Sequence, residues 1–191
     1  WNKKYKDKSI QWYVAGKDDV INKYFGNLLF KLRRNPKIIT KRLTSELLTP
    51  NDFNYLRNLF SIKEIHDMMG TDINNKIWKD ERFYQELILK GPFYIWYFNN
   101  DPIGIAGFRK IGRFAEIIYT LTPKYWNLGF ATEIVYALID EAAELNIKEL
   151  ILQIHPNNKQ SINVARKTGF EYKGIKSFKY SPDQLVFAQE L

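Results

Sequence analysis

The chain has no cysteine, and only two histidines and two methionines among 191 residues. The first absence excludes disulfides, thiolate metal sites and a cysteine nucleophile together. It is compatible with the cytoplasm, which is the expected location. Two histidines without an acidic cluster at ligand spacing leave no metal site to expect. Long apolar runs are also missing. No stretch approaches the roughly 18 to 20 residues that span a bilayer, and the opening WNKKYKDKSIQWYV lacks the apolar core of a signal peptide. No membrane partner is expected. Glycine is sparse, at ten residues, so each placement carries information.

Acidic side chains are scarce at one end. Residues 1–38 carry ten Lys/Arg against Asp7, Asp18 and Asp19, a net of +7, while the other 153 residues hold 19 basic and 18 acidic groups. The formal charge of +8 therefore belongs to the N-terminal segment. Such asymmetry fits an anionic partner such as RNA or the ribosome, or a solvated arm. The segment reads as a strand, IQWYVAG, and a helix, DDVINKYFGNLLFKLRRNP, too small to fold alone. Its aromatics (Trp1, Trp12, Tyr13, Tyr24 and Phe25) fit a buried contact, over the acceptor site or in a homodimer. The expected division is a basic strand–helix extension at 1–38 and a body at 39–191.

The body opens with KIITKRLTSELL as a strand. A helix follows in TPNDFNYLRNLF, with Thr49 as N-cap and Pro50 at the first helical position. KEIHDMM and NKIWKDERFYQELILKG read as further helices, the second closed by Gly91. PFYIWYF, PIGIAGFRK and FAEIIYTL, separated by NNDP and KIGR, read as an antiparallel meander. Ala131, Ile134, Val135, Leu138, Ile139 and Ala142 form one apolar stripe at helical spacing. IKELILQI reads as a central strand, NKQSINVARKTGF as a short helix, and EYKGIKSFKY with QLVFAQEL as a hairpin. This order gives a mixed α/β (α+β) fold: a mostly antiparallel sheet flanked by helices, with one parallel crossover.

The junction TPKYWNLGFATE leaves a strand and delivers Gly129 to the first turn of the striped helix. A helix N-terminus offers unpartnered N–H groups and a dipole that favours anions, so a side-chain-poor loop there can receive a phosphate. No Lys-Ser/Thr pair follows, and there is no three-glycine dinucleotide fingerprint. By itself the glycine also reads as a device for a tight turn.

The run FAEIIYTLTPKYWNLGFATE, followed by LQIHPNNKQSINVARKTGFEYKG, resembles the GNAT acyl-CoA N-acyltransferase superfamily, most closely its RimJ/RimL-type protein N-acetyltransferases. Glu116, Ile117, Tyr119 and Leu121 match the family's strand. Pro123, Tyr125, Trp126, Gly129, Ala131, Thr132 and Glu133 match its loop and helix start. Asn158, Ser161, Val164, Lys167, Gly169 and Phe170 match its last helix. The likeness runs from about Ile39 to the C-terminus. Two departures lie in the loop, where Asn127 replaces the usual glycine and Leu128 a basic or polar residue. Asn keeps the left-handed conformation accessible.

The resemblance implies a GNAT fold with a splayed parallel strand pair. It implies acetyl-CoA as cosubstrate, bound by Leu121, Asn127, Leu128, Gly129, Phe130, Ala131, Thr132, Asn158 and Ser161. Its diphosphate would lie on the loop amides and its pantetheine arm between the strands at 114–121 and 147–154. Ser161, a catalytic candidate as well as a cosubstrate contact, would stand beside the departing thiol. The tyrosine acid that many GNAT enzymes outside this branch carry on the last helix falls at Ala165 here. Glu116, the one charge in FAEIIYTL, is the candidate general base, with a paired structural glutamate as the competing reading. Trp78, Tyr84 and Tyr97 belong to segments that wall the acceptor site in the family, and are otherwise core. His155 is a candidate relay or a structural loop residue, and His66 has no assigned role. The expected reaction is direct acetyl transfer to a primary amine, first the N-terminal α-amine of a protein or peptide. The alternatives are a small-molecule amine (polyamine, aminoglycoside or amino sugar) and an inactive GNAT-fold binding module.

Overall fold

β-Strand alternation and helical stripes sort the apolar residues onto two faces of one sheet. The structure, a computed structural model, describes residues 36–111, 114–177 and 182–191. The strand and helix expected within 1–38 lie outside the described residues.

In chain order the elements are β1 (Thr44–Leu47), α1 (Phe53–Leu59), α2 (Lys63–Met69), α3 (Glu81–Lys90), β2 (Phe93–Phe98), β3 (Asp101–Ile111), β4 (Phe114–Leu121), α4 (Phe130–Glu144), β5 (Glu149–Ile154), α5 (Lys159–Lys167), β6 (Glu171–Lys176) and β7 (Gln184–Glu190). The strands form one sheet in the order β1-β2-β3-β4-β5-β7-β6. All pairings are antiparallel except β4 with β5. This is the GNAT fold, a mixed sheet with one parallel pair between layers of helices.

The meander is as read. The β2–β3 turn places Asn99 and Asn100 at φ 49° and 65°, the left-handed pair that a tight hairpin requires. Along β2, Tyr94 and Trp96 enter the core on the α4 face, while Phe93 and Ile95 pack under α1, α2 and α3. On α4, Ile134, Val135, Leu138 and Ala142 are fully buried. Each of the three larger side chains contributes about 1.5–3 kcal/mol by leaving water, which fixes the helix rotation and hence where its N-terminus points.

Three expectations need correction. The strand expected over 37–48 is shorter, because the chain first reverses: Thr40 N donates to Leu43 O (2.9 Å), and Ile39 bridges Thr44. The helix expected over 75–90 is split at Asp80. That residue is extended (φ −88°, ψ 116°) and its carboxylate accepts from Arg82 N at 3.0 Å, making it the N-cap of α3 behind a short 3₁₀ turn at Lys76–Lys79. Gly91 does not close α3 by a left-handed cap. Its backbone is extended at φ 174°, and it is glycine because a Cβ would lie 1.9 Å from Phe108 O.

Candidate active site

β4 ends at Leu121, and a 3₁₀ turn at Pro123–Tyr125 carries the chain toward α4. Trp126 Nε1 donates to Leu121 O at 2.7 Å, pinning the indole over the strand end. Asn127 (φ 60°) and Gly129 (φ 79°) then both adopt the left-handed conformation. Asn reaches it because its short polar side chain tolerates it, and Gly because it has no Cβ. The two residues turn the chain so that α4 begins at Phe130. Among the described residues no acceptor engages the amides of residues 127–132, and the first satisfied N–H is that of Glu133, to Gly129 O at 3.1 Å. Six consecutive amides are thus unpartnered at the positive end of a 15-residue helix. Such an arrangement is chemically suited to a diphosphate, which it could take through its main chain.

The loop is braced by a residue that the sequence did not point to. Arg42, ahead of β1, donates from Nη1 to Leu128 O (3.0 Å) and from Nε to Glu133 Oε2 (2.7 Å). Its guanidinium stacks 4.4 Å over the Phe130 ring, and its Nη2 lies 3.5 Å from where a Gly129 Cβ would stand. Glu133 also accepts from the Thr40 hydroxyl (2.6 Å) and from Arg42 N (2.9 Å). Burial raises the Glu133 carboxyl, but these three donors outweigh it and hold the group below the usual carboxylate range. Leu128, where a basic residue is common in the family, is about half exposed, and its side chain lies outside the cleft. The Arg42 guanidinium stands at the same end of the helix, where its charge is balanced by Glu133.

From this cradle a cleft of about 280 Å³ runs inward. It exists because β4 and β5 pair over three residues each, ending at Glu116 opposite Ile151, after which the two strands diverge. Backbone groups from Ile117 onward are therefore free of β5. Leu121, Asn127, Gly129, Phe130, Ala131, Thr132, Asn158 and Ser161 line the cleft, together with Tyr119. Asn158 caps α5, its Oδ1 accepting from Ser161 N (3.0 Å), and its Nδ2 donates to Met68 O (3.3 Å). It thereby ties α5 to the end of α2 across the opening. Burial pushes the Tyr119 phenol up to about 12, and the nearby Ser161 hydroxyl opposes the shift.

Other named residues stand elsewhere. Glu116 is buried but not in the cleft, and its Oε2 accepts from Arg109 Nε at 2.9 Å and from Nη2 as well. Trp78 stacks on Phe60 at 5.4 Å, and Tyr84 is fully buried with its hydroxyl on Trp78 O. Neither they nor Tyr97 on β2 line the cleft. His66 is fastened on both ring nitrogens, to Thr71 Oγ1 (2.9 Å) and Phe60 O (2.7 Å), a structural role. The His155 ring packs against Gly70, where a Cβ would lie 2.3 Å from Cδ2. Ala165 is fully buried. No cluster that could hold a metal occurs among the described residues, nor is any of their helices long and apolar enough to cross a membrane.

Comparison with known proteins agrees with this geometry. The family model described as an acetyltransferase (GNAT) domain matches residues 42–171. The N-acetyltransferase p20 of Bacillus licheniformis is 31% identical over 152 residues, covering 72% of this chain and 84% of that protein. A microcin C7 self-immunity acetyltransferase, solved with acetyl-CoA and AMP, superposes with a TM-score of 0.68 at 19% identity, over 84% of this chain and 99% of its own. The ribosomal-protein-S5-alanine acetyltransferase of Vibrio fischeri gives a TM-score of 0.67 at 16% identity, over 82% and 97%. The unpartnered amides and the strand splay fit acetyl-CoA, the cosubstrate of such enzymes, and the chain belongs to the GNAT family of N-acetyltransferases.

Proposed function

We propose that this protein transfers the acetyl group of acetyl-CoA directly to the N-terminal α-amine of a protein or peptide, as RimJ/RimL-type enzymes do. The observation that supports this reading is the charge of the cleft on its α2 side, where Ile65, Met68 and Met69 line it. Among its lining residues the one charged side chain is Lys167, and no carboxylate is present. A polyamine or aminoglycoside requires counter-charges. Of the acids on and between α2 and α3, Asp67 pairs with Lys63 (2.7 Å), Asp72 accepts from Asn74 N (2.9 Å), Asp80 pairs with Arg82, Glu81 with Arg57 (2.5 Å) and Glu86 with Lys90, and neither these nor Glu64 line the cleft. An α-amine, with a pKa near 7.7–8, reaches its nucleophilic form near neutral pH with little assistance, whereas a lysine near 10.4 does not. The absence of a free carboxylate from the cleft is therefore compatible with an α-amine acceptor.

In this reading residues 127–132, braced by Arg42, hold the diphosphate end, and the diverging edges of β4 and β5 hold the pantetheine arm. Asn158 keeps α5 in place, and Ser161 stands at the thiol end. Glu116, held by Arg109, anchors β3 to β4 rather than acting as base, and the amine proton leaves to solvent. With no cysteine in the chain, the acetyl group passes to the amine in one displacement. The location that suits these substrates is the cytoplasm. A panel tests the reading: peptides with free or blocked N-termini, spermidine and an aminoglycoside, scored by release of coenzyme A. Turnover with free N-termini, and none with blocked ones, is expected. Preferential turnover of spermidine or the aminoglycoside would replace this reading with a small-molecule acetyltransferase.

A further inference from the structure

Five buried side-chain atoms lack a hydrogen-bond partner among the described residues: those of Tyr55, Trp96, Tyr119, His155 and Gln189. Tyr119 is the one of these residues that lines the cleft. Native proteins rarely leave such a group unsatisfied, and each exception calls for a cause. Tyr119 follows Glu116 by three residues on β4, beyond the point where β5 departs. Its position alternates with Ile118, so its side chain joins the α4–α5 side, in the cluster that holds Ile117 and Leu121. There the phenol meets Ser161 of α5, close enough for the hydroxyl to influence its ionisation but not in hydrogen-bonding geometry. Residues of the cradle at 127–132 line the same cleft as Tyr119 and Ser161. Ala165, at the position where GNAT enzymes outside the RimJ/RimL branch carry a tyrosine acid, has no hydroxyl and is sealed in the core.

We infer that Tyr119 is the proton donor to the departing thiolate, approaching it from β4. This rests on the reading that acetyl-CoA occupies the cleft. As the acceptor nitrogen bonds to the thioester carbonyl carbon, the C–S bond breaks and its electron pair goes to sulfur. Tyr119 Oη gives its proton to that sulfur, and the phenolate regains one from the acylated nitrogen through solvent. The products are the amide and coenzyme A thiol. Burial keeps the phenol protonated across the working pH range, so the proton is present when it is needed. The orphaned hydroxyl then has its partner in the complex rather than in the free protein.

Tyr119→Phe removes one oxygen and leaves the ring. Calorimetry with coenzyme A and with desulfo-coenzyme A, in which hydrogen replaces the thiol, isolates the contact to sulfur. Under conditions where the thiol is ionised, wild type is expected to prefer coenzyme A by about 10-fold, the size of a charge-assisted hydrogen bond. The variant should lose that preference while binding desulfo-coenzyme A as before. Its ligand-free melting temperature should be unchanged or higher, since it deletes an unsatisfied group. Turnover with the acceptor found by the panel should fall by about 10²-fold or more. An equal preference for coenzyme A in both proteins overturns the inference, and so does a variant that melts lower with undiminished turnover. Failure of wild type to bind either coenzyme would instead remove the cosubstrate reading beneath it.

Discussion

Replacing Gly129 by alanine tests whether the loop conformation itself makes the cradle. Gly129 sits at φ 79° and ψ 2°, where an L-residue is disfavoured by roughly 1–2 kcal/mol. Sterics add little, because the nearest atom to the new Cβ is Arg42 Nη2 at 3.5 Å, an ordinary contact. The whole effect is therefore backbone strain, and it must appear in one of two places. If the loop holds its shape, the strain lowers stability, and the melting temperature falls by about 2–8 °C, at about 2–4 °C per kcal/mol for a chain of this size. If the loop relaxes, the strain returns when the diphosphate binds, and the affinity for coenzyme A drops by about 5- to 30-fold. The two effects together should come to about 1–2 kcal/mol. Gly129→Asn should lose less on both counts, since Asn127 already occupies the same region at φ 60°. Differential scanning calorimetry and titration calorimetry on the two variants read both terms. An alanine variant that matches wild type in stability and in affinity would refute the reasoning.

Removing Arg42 (Arg42→Ala) frees Leu128 O and strips one donor from Glu133, so coenzyme A affinity should fall by about 10-fold in titration calorimetry, with a loss of about 1–2 kcal/mol in urea unfolding. Because Glu133 titrates below the ordinary range, the stability it adds is present above the unfolded value near 4.3 and is lost as pH falls through the lower folded value. Glu133→Gln should flatten that part of the curve in urea melts between about pH 6 and 3. Glu116→Gln should cost about 1–3 kcal/mol, less than a fully buried pair because the Arg109 side chain is 40% exposed. Its turnover per folded molecule should stay within a few-fold, and a variant of unchanged stability with turnover lost would make Glu116 the base. Asn158→Ala removes the α5 cap and should cost about 1 kcal/mol or more, together with weaker coenzyme A binding.

Features fixed by local geometry were legible in the sequence. The stripe on α4 needs only helical periodicity, and the meander needs only alternation and the paired asparagines at 99 and 100. The left-handed Asn127 was legible because so few residue types tolerate that conformation. What escaped were effects that join distant parts of the chain. Arg42 meets Leu128 and Glu133 across 86 and 91 positions, and nothing in TKRLTSELL announces that contact. Gly91 is glycine because Phe108 O of β3 passes over it, which no helix-end rule contains. The split at Asp80 was readable, since an aspartate followed by Glu81 is an N-cap pattern, but the apolar spacing through Trp78 and Phe83 masked it. Trp78 and Tyr84 illustrate the same limit, because amphipathic aromatics look alike whether they face a substrate or, as Tyr84 does, a backbone carbonyl in the core.

The central claim is that main-chain amides of residues 127–132 receive the diphosphate of coenzyme A. Its most direct test is an amide NMR spectrum of isotope-labelled protein, titrated with coenzyme A to saturation. The account predicts that the amide resonances of residues 127–132 move farthest, and that they move less with pantetheine, which lacks the diphosphate. Saturable binding that leaves those six resonances in place would contradict it.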